Sequence, residues 1–338
     1  MPACVTWTRD GVMTHSLRQT PSLNNNNLSC FGTYLAYAKG SDVIVTNFGD
    51  NKLMTVPFSD KAQVFCVKYL TFSDVSLLIV GMFDGFQAWT PEGTRLLFFH
   101  PVRPANEDDI CFVRGIDNIK GGRAEFLVGD STGAVHTFLL GNAGRGFNVN
   151  LVKNRREHGE AISDINCSSK YAVTGDDGGT LCVYSVNQDA TPGGHNLMTK
   201  THELASSPFP VTSLKVFESY CVASFTSGHL RYIDLEHGEV KVEVAAHSRS
   251  ITGISGSKLP DGTMVCATAS EDSVVSVWSV PEAIGERGGE VELLFSDKIL
   301  DKQLTGICFV SDSNQDTKII ASSFDCDHLD VWDEINNR

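Results

Sequence analysis

The sequence lacks the features that direct a protein into a membrane or the secretory pathway. Its 338 residues contain no run of about 18 apolar residues and no N-terminal segment in which basic residues precede an apolar stretch. We therefore expect a cytoplasmic protein without membrane insertion, with a ciliary or cytoskeletal association as an alternative location.

Cysteine is present, but not in the spacing that binds metal. The ten cysteines form no Cys-x-x-Cys pair, and one group of possible ligands at residues 325–328 has no second pair elsewhere in the chain. We predict no metal site and no cofactor, and we interpret the cysteines in apolar runs as buried free thiols. These cysteines are Cys66, Cys111, Cys182, Cys221 and Cys266.

Basic residues are few relative to acidic ones. The chain has 27 lysines and arginines against 41 aspartates and glutamates, which gives a formal net charge of −14 at pH 7. Because such a charge repels phosphate backbones and anionic lipid headgroups, we expect no nucleic-acid partner, and a protein partner fits better, above all a basic peptide. The basic run at residues 153–156 predicts a solvated loop between repeat units.

An internal repeat is the strongest feature that is present. A large apolar residue that ends an alternating apolar segment recurs at intervals of 44 to 54 residues. This period, with tight turns between short strands, is typical of the four-stranded blades of a β-propeller. Seven such apolar anchors predict an all-β fold with seven blades. The anchors are Val45, Trp89, Phe138, Tyr184, Ile233, Trp278 and Trp332.

Three of the four strands expected for a blade can be read in each unit. A hairpin leads to the apolar anchor, and a further apolar run precedes the hairpin, as at residues 211–216. The last unit lacks an outer strand, and an open sheet edge favours aggregation. We predict that residues 4–8 or 12–17 supply this strand, so that residues 1–20 close the ring of a single propeller domain spanning residues 1–338. The first unit is the least regular, because asparagines at residues 24–27 interrupt its start.

The sixth unit resembles the WD-repeat family. His247, Thr268, Asp272 and Trp278 match in type and order the hydrogen-bonded tetrad of that family. The resemblance implies a structural role, in which the aspartate holds the imidazole, the imidazole contacts the hydroxyl, and the hydroxyl meets the indole N–H. No catalytic triad is needed to explain these residues.

The fourth unit departs from the tetrad of the WD-repeat family. It keeps His158 and Thr174 but has Gly178 at the aspartate position, and Tyr184 replaces the tryptophan. We predict that Asp177, one residue away, substitutes for the missing aspartate.

Longer segments resemble one branch of the WD-repeat family, in the same order along the chain. The resemblance is weaker over the N-terminal 60 residues. It implies a eukaryotic cytoplasmic scaffold that can self-associate and has no enzymatic activity. The matching segments are residues 113–116, 174–177, 181–183, 246–251 and 302–304.

The turns between the second and third strands of the units carry acidic and aromatic residues. In a propeller these turns gather on one rim with the connections between blades. Aspartate favours turns in any protein, since its side chain bonds the local backbone. The alternative is a negatively charged rim that captures a basic peptide, with two phenylalanines as apolar anchors. The candidate rim residues are Phe83, Asp84, Asp130, Asp176, Asp177, Arg249, Glu271, Phe324 and Asp325.

Three functional classes are compatible with a propeller, because the fold alone does not choose among them. The glycine-rich residues 175–179 are followed by neither Gly-Lys-Ser/Thr nor a helix, so we predict no phosphate loop there. No pair of carboxylates is set apart from turn chemistry, which argues against an enzyme. We therefore favour a non-enzymatic scaffold for protein–protein interaction over a reader of modified or basic peptides and over a propeller enzyme.

Overall fold

The structure, a computed structural model, describes most of the chain. The described residues are 6–8, 20–47, 52–57, 62–104, 110–143, 146–205, 207–259, 262–281, 289–311 and 317–335.

The described residues form seven antiparallel sheets of four strands, which are the blades of a β-propeller. This confirms the predicted all-β, seven-bladed WD40-type fold. Blades I to IV follow chain order. Their strands are β2 (Ser29–Phe31), β3 (Tyr34–Lys39), β4 (Asp42–Asn47) and β5 (Lys52–Thr55) in blade I; β6 (Val64–Thr71), β7 (Ser76–Met82), β8 (Gly85–Trp89) and β9 (Leu96–Pro101) in blade II; β10 (Val113–Asn118), β11 (Glu125–Asp130), β12 (Ala134–Ala143) and β13 (Gly146–Arg156) in blade III; and β14 (Ile162–Cys167), β15 (Tyr171–Asp176), β16 (Thr180–Val186) and β17 (Met198–Ala205) in blade IV.

Blades V and VI continue the same order, and blade VII combines the two ends of the chain. First strands of neighbouring blades contact one another, so they surround the central channel. The strands are β18 (Val211–Phe217), β19 (Tyr220–Phe225), β20 (His229–Asp234) and β21 (Glu239–Ala245) in blade V; β22 (Ile251–Lys258), β23 (Met264–Ser270), β24 (Val274–Ser279) and β25 (Leu293–Lys298) in blade VI; and β26 (Leu304–Ser311), β27 (Thr317–Ser323), β28 (Asp330–Ile335) and β1 (Thr6–Thr8) in blade VII.

The apolar anchors of the repeat all lie in third strands, and all seven are buried. In five blades the anchor directly follows a bulge in the pairing of the third and fourth strands, as at Tyr184 and Trp278. A bulge bends its strand and increases the local twist. The repeat therefore places one large side chain at the same bend of each of these blades.

Neighbouring blades pack through buried aromatic side chains. Phe86 of blade II meets Phe126 and Phe138 of blade III, with ring centroids 5.8 and 5.2 Å apart, both edge to face. Such geometry stabilises an aromatic pair by about 1 kcal/mol beyond the burial of its area. All three rings are fully buried.

In blades I to VI the fourth strand is the one that the sequence pattern does not predict. Where their burial is described, these strands are only partly buried, as in β21, where most positions are exposed. The loop predicted at residues 153–156 is wrong for the same reason, because these residues belong to β13. There Arg155 pairs opposite Val135 of β12 and donates a 2.7 Å hydrogen bond to the carbonyl oxygen of Met198.

An N-terminal strand closes the ring. β1 pairs antiparallel with β28, with Trp7 opposite Glu334 and Thr8 opposite Asp333. It lies within the first of the two segments predicted to supply the closing strand, residues 4–8, whereas residues 12–17 lie outside the described residues. That the whole chain of 338 residues forms one domain stays a prediction.

Deleting residues 1–18 should lower the melting temperature by several degrees, because the deletion leaves β28 as an unpaired edge. Deleting residues 1–5 removes the chain before β1 and is the matched control, for which we expect no change. Differential scanning calorimetry of the two deletions measures the effect. Equal melting temperatures for wild type and the longer deletion would show that β1 does not stabilise the ring.

Candidate functional site

Two sets of loops share one end of the propeller. In at least five blades the turn between the second and third strands donates a backbone hydrogen bond to the connection that enters the same blade. We call this end, formed by those turns and by the connections between blades, the turn face, and the other end the opposite face. The hydrogen bonds run from the amides of Ser131, Asp177, Thr226, Glu271 and Phe324 to the carbonyl oxygens of Phe112, Ala161, Pro210, Ser250 and Gln303.

In blade VI a histidine of the connection is tied to the turn and to the second strand. Nδ1 of His247 lies 3.2 Å from both carboxylate oxygens of Asp272, and Nε2 lies 2.8 Å from Oγ1 of Thr268. The amide of Ser248 also donates to Asp272, at 2.9 Å. The connection is thus held to the turn by one charged side chain with several partners.

The fourth member of the expected tetrad does not join this network. The indole Nε1 of Trp278 is buried and makes no hydrogen bond. The hydroxyl of Thr268 lies within bonding distance of His247 and of the carbonyl oxygen of Ser276, at 3.3 Å. It therefore has two other partners, and the predicted link from hydroxyl to indole is absent in blade VI.

Blade IV contains a second histidine network, with a different aspartate from the one predicted. Nδ1 of His158 lies 2.9 Å from Oδ2 of Asp176, and Nε2 lies 2.7 Å from Oγ1 of Thr174. The prediction that Asp177 fills this role is wrong. Asp177 instead accepts a 2.7 Å hydrogen bond from the guanidinium of Arg114, which reaches across from blade III.

Two of the candidate rim aspartates are unavailable to a partner. Asp176 and Asp130 are both buried, and Asp130 bonds Nε2 of His136 at 2.7 Å within its own blade. It also accepts from the amide and hydroxyl of Thr132, at 2.8 and 2.7 Å. These carboxylates stabilise their turns, so they do not belong to a partner-binding surface.

The remaining candidate rim residues reach solvent on the turn face. Asp84, Asp325 and Arg249 are exposed, whereas Glu271 is half-buried and Asp177 is held by its ion pair. Asp84 and Asp325 have positive φ angles of 59° and 50°, a conformation that aspartate tolerates in tight turns. The exposed acidic charge of this face is thus smaller than the sequence suggests.

Exposed large hydrophobic side chains fall into two groups. Five lie on the outermost strands: Leu96, Phe99, Leu151, Val240 and Leu293. Six lie in turns or connections of the turn face, and among the described residues none lies on the opposite face. The six are Leu23, Phe83, Ile110, Phe209, Leu300 and Phe324.

Three phenylalanines form a cluster at the border of blades II and III. Phe65 and Phe112 stack with their centroids 4.3 Å apart, and Phe83 meets Phe65 edge-on at 4.9 Å. Ile110, 73% exposed, lies two residues before Phe112. Of these residues only Phe83 was predicted from the sequence. Phe65 is the second residue of β6, whereas Phe112 directly precedes β10, so the two do not occupy equivalent positions of the repeat and no periodic signal marks them.

The central channel encloses a cavity of about 600 Å³ lined by the first strands of the blades. Asparagines cross its end at the turn face. Nδ2 of Asn24 donates to the carbonyl oxygen of Val64 in blade II, at 3.2 Å, and Nδ2 of Asn26 donates to that of Thr212 in blade V, at 3.2 Å. The amide of Asn26 reaches Thr252 in blade VI at 2.7 Å. The asparagines that interrupt the repeat therefore bridge three blades.

A possible metal group lies in the turn of blade VII. Ligand atoms of Cys326, Asp327 and His328 lie within 4.8 Å of one another. The ammonium group of Lys302 bonds Nε2 of His328 and also Asp330, at 3.0 Å. Since this positive charge lies beside the group, we do not assign a cation to it.

The five cysteines interpreted as free thiols form no disulfide, and all except the half-buried Cys66 are buried.

The blades, and the histidines that tie connections to turns, define a WD-repeat β-propeller. The family model of WDR54 matches residues 57–330, and the chain belongs to this family. Membership in a WD-repeat propeller family indicates protein–protein interaction in general and is typical of proteins without enzymatic activity. Among the described residues, no helix is long and apolar enough to cross a membrane.

Curated relatives are similar over about two thirds of the chain. Mouse WD repeat-containing protein 54 is 25% identical over 243 residues, which are 69% of this chain and 68% of the mouse protein. Human WD repeat-containing protein 54 is 24% identical over 248 residues, covering 70% and 69%. A chain in the crystal structure of a mitotic checkpoint complex matches the fold with a TM-score of 0.72 at 13% identity, over 99% of this chain and 98% of that one.

Asp176→Asn should lower the free energy of unfolding by about 2 to 4 kcal/mol, since it weakens a buried carboxylate bonded to His158 and to the amide of Thr180. Asp177→Asn makes the same chemical change in a partly exposed ion pair and should cost less than about 1 kcal/mol. Urea unfolding followed by tryptophan fluorescence measures both. Equal losses would contradict the assignment of Asp176 as the partner of His158.

The His158 network should also make stability depend on pH. Burial disfavours the charged imidazole, but hydrogen bonds to Asp176 and Cys182 outweigh burial and raise the pKa of His158 to about 9 from the usual 6.5. Because the folded pKa exceeds the unfolded one, the stabilisation is fully present below pH 6.5 and is lost as the pH rises through 9.

Urea unfolding of wild type and His158→Gln at about pH 6 and about pH 9.5 isolates this contribution. We expect wild type to lose on the order of 2 kcal/mol more than the variant over this interval. If both proteins show the same pH dependence, His158 is not charged in the folded state.

Proposed function

We propose that this protein is a non-enzymatic scaffold that binds partner proteins on its turn face. The observation that carries the proposal is the distribution of exposed hydrophobic side chains. Phe83 and Phe324 are 39% and 45% exposed, and four further large hydrophobic residues share their face. Side chains of this size in contact with water favour a partner that covers them.

The charge around these side chains favours a basic partner segment. Asp84 directly follows Phe83, and Asp325 directly follows Phe324, and both aspartates are exposed. An aromatic side chain beside an exposed carboxylate suits a peptide in which lysine or arginine neighbours an apolar residue. A net charge of −14 on the chain adds long-range attraction for such a partner.

The arrangement of aromatic rings favours a scaffold over a reader of modified lysines. Such readers need rings around an open cage into which a cation fits. Phe65 and Phe112 are stacked 4.3 Å apart, so nothing fits between them, and Phe225 is fully buried. The cytoplasmic location and the self-association expected from the sequence are part of the same proposal.

Phe83→Ser combined with Phe324→Ser should reduce recovery of the main partners at least several-fold, because both apolar anchors of the turn face are lost. Quantitative mass spectrometry after affinity purification from the native cell measures recovery. Phe99→Ser combined with Leu293→Ser is the matched control, since these residues are at least as exposed as Phe83 and Phe324 but lie on outermost strands.

Two outcomes would contradict the proposal. One is unchanged recovery with the turn-face variant, and the other is an equal loss with the outer-strand control. A second variant, Asp84→Asn with Asp325→Asn, tests the charge preference separately. It should reduce recovery of basic partners and leave the melting temperature unchanged, since asparagine also tolerates the positive φ angles and neither side chain is buried.

A further inference from the structure

Seven equivalent positions of the first strands form a ring around the central channel. Each directly follows a buried aliphatic residue of its strand, and each lines the cavity. We call this set the channel ring. Its members are Ser29, Lys68, Asp117, Asn166, Lys215, Ser255 and Cys308.

Four members of the channel ring bind the next blade. Their side-chain oxygens accept hydrogen bonds from backbone amides of the following first strand, at 2.8 to 3.1 Å. Such bonds satisfy amides at the inner edge of each sheet, where no further strand pairs. The pairs, acceptor first, are Ser29 with Tyr69, Asp117 with Cys167, Asn166 with Val216, and Ser255 with Phe309.

Lys68 and Lys215 break this pattern, because an ammonium group cannot accept a hydrogen bond. Among the described residues neither ammonium has a hydrogen-bond or ion-pair partner. Nζ of Lys215 lies 6.0 Å from the ring centroid of Phe217. By contrast, Lys120 and Arg114, which also line the channel, bond Asp117 at 2.8 Å and Asp177 at 2.7 Å.

The channel is therefore basic inside an acidic protein. Its lining contains two lysines without partners, while the carboxylate of Asp164 accepts from the amides of Leu214 and Ile165, at 2.8 and 2.9 Å. Burial lowers the pKa of Lys215, an effect that Asp117 opposes and the like charge of Lys68 strengthens. Burial also disfavours the charge of Lys68, but Asp164 and Asp117 outweigh burial and raise the pKa of Lys68. An anion that meets both ammonium groups would offset the burial of Lys215 and the repulsion between the two lysines.

We propose that the central channel binds a small phosphate-bearing polyanion between Lys68 and Lys215. The two lysines come from blades II and V, on different sides of the ring, so an anion with several charged oxygens can meet both. Lysine binds phosphate as a point charge, and the hydroxyls of Ser29 and Ser255 can donate into the same space.

The size and the openings of the channel support a free small molecule as the occupant. A cavity of about 600 Å³ is within the usual range for small-ligand sites. Asn24 and Asn26 cross the turn-face end, where Phe65 and Phe112 also line the cavity, so the channel adjoins the proposed partner-binding surface. The two proposals use different residues, since the anion meets Lys68 and Lys215, whereas the partner meets Phe83 and Phe324.

Isothermal titration of the full chain with inorganic tripolyphosphate tests the proposal. We expect saturable binding by wild type, and a loss of affinity of at least tenfold in Lys68→Met and in Lys215→Met, which keep the apolar stem but remove the charge. Lys170→Met is the control, since Lys170 is exposed and lies outside the channel, and its affinity should equal that of wild type. Absence of binding by wild type, or equal affinity in all four proteins, would overturn the proposal.

The melting temperatures of the variants show whether each variant is folded. Without the anion, Lys215→Met should melt at or above the wild-type temperature, because it removes a half-buried charge that has no ion-pair partner among the described residues. Tripolyphosphate should raise the melting temperature of wild type and not that of Lys215→Met. A variant that melts well below wild type without the anion would assign Lys215 a structural role and overturn the proposal.

Two further measurements distinguish binding of a free anion in the channel from binding at the turn face and from binding to a lipid headgroup. Phe83→Ser with Phe324→Ser should bind tripolyphosphate like wild type, so a failure of the partner-binding proposal leaves this test intact. Vesicles containing phosphoinositides should not sediment the protein. Sedimentation that depends on Lys68 and Lys215 would overturn the assignment to a free anion.

Discussion

The inner edges of the seven sheets set the constraint on which this structure depends. Each first strand has one edge that faces the channel, where no strand can pair with its amides and carbonyl groups, and such groups are costly to leave unpaired away from water. The chain satisfies them with side chains from neighbouring blades. Asp117 and Asn166 each accept from the next strand, while Asn24 and Asn26 donate to carbonyl oxygens across the channel mouth. The side chains that hold neighbouring blades together therefore also line the channel.

The aspartates fall into two groups, those that stabilise the ring and those that face solvent. Carboxylates that hold turns or first strands, such as Asp130 and Asp176, are buried and bonded, so they stabilise the ring. Carboxylates outside these networks, such as Asp84 and Asp325, face solvent beside exposed aromatic rings. Both groups look alike in the sequence, because each consists of aspartates in turns. The turn face and the channel then differ in the sign of their free charge, which suits different ligands.

Much of the fold follows from local pattern. Seven apolar anchors predicted seven blades, because each ends an alternating strand that must bury one face. The outer strands were not predictable, since strands such as β21 are mostly exposed and carry a weak apolar signal. Of the site, Phe83 and Phe324 were identified from the sequence. Phe65 and Phe112 were not, because they are far apart in the chain and stack only when blades II and III meet.

The sequence by itself determined the number of blades, the turns between their strands and the histidine–threonine pairs of blades IV and VI, since these depend on a regular period or on residues of one repeat unit. Tertiary structure decided which aspartate bonds His158, which acidic residues remain exposed, and that residues 6–8 form the N-terminal strand that pairs with β28. It also decided that Lys68 and Lys215 share one channel. The physical reason is that burial, ion pairing and ring closure depend on distances between blades, and these distances exist only once the ring has formed.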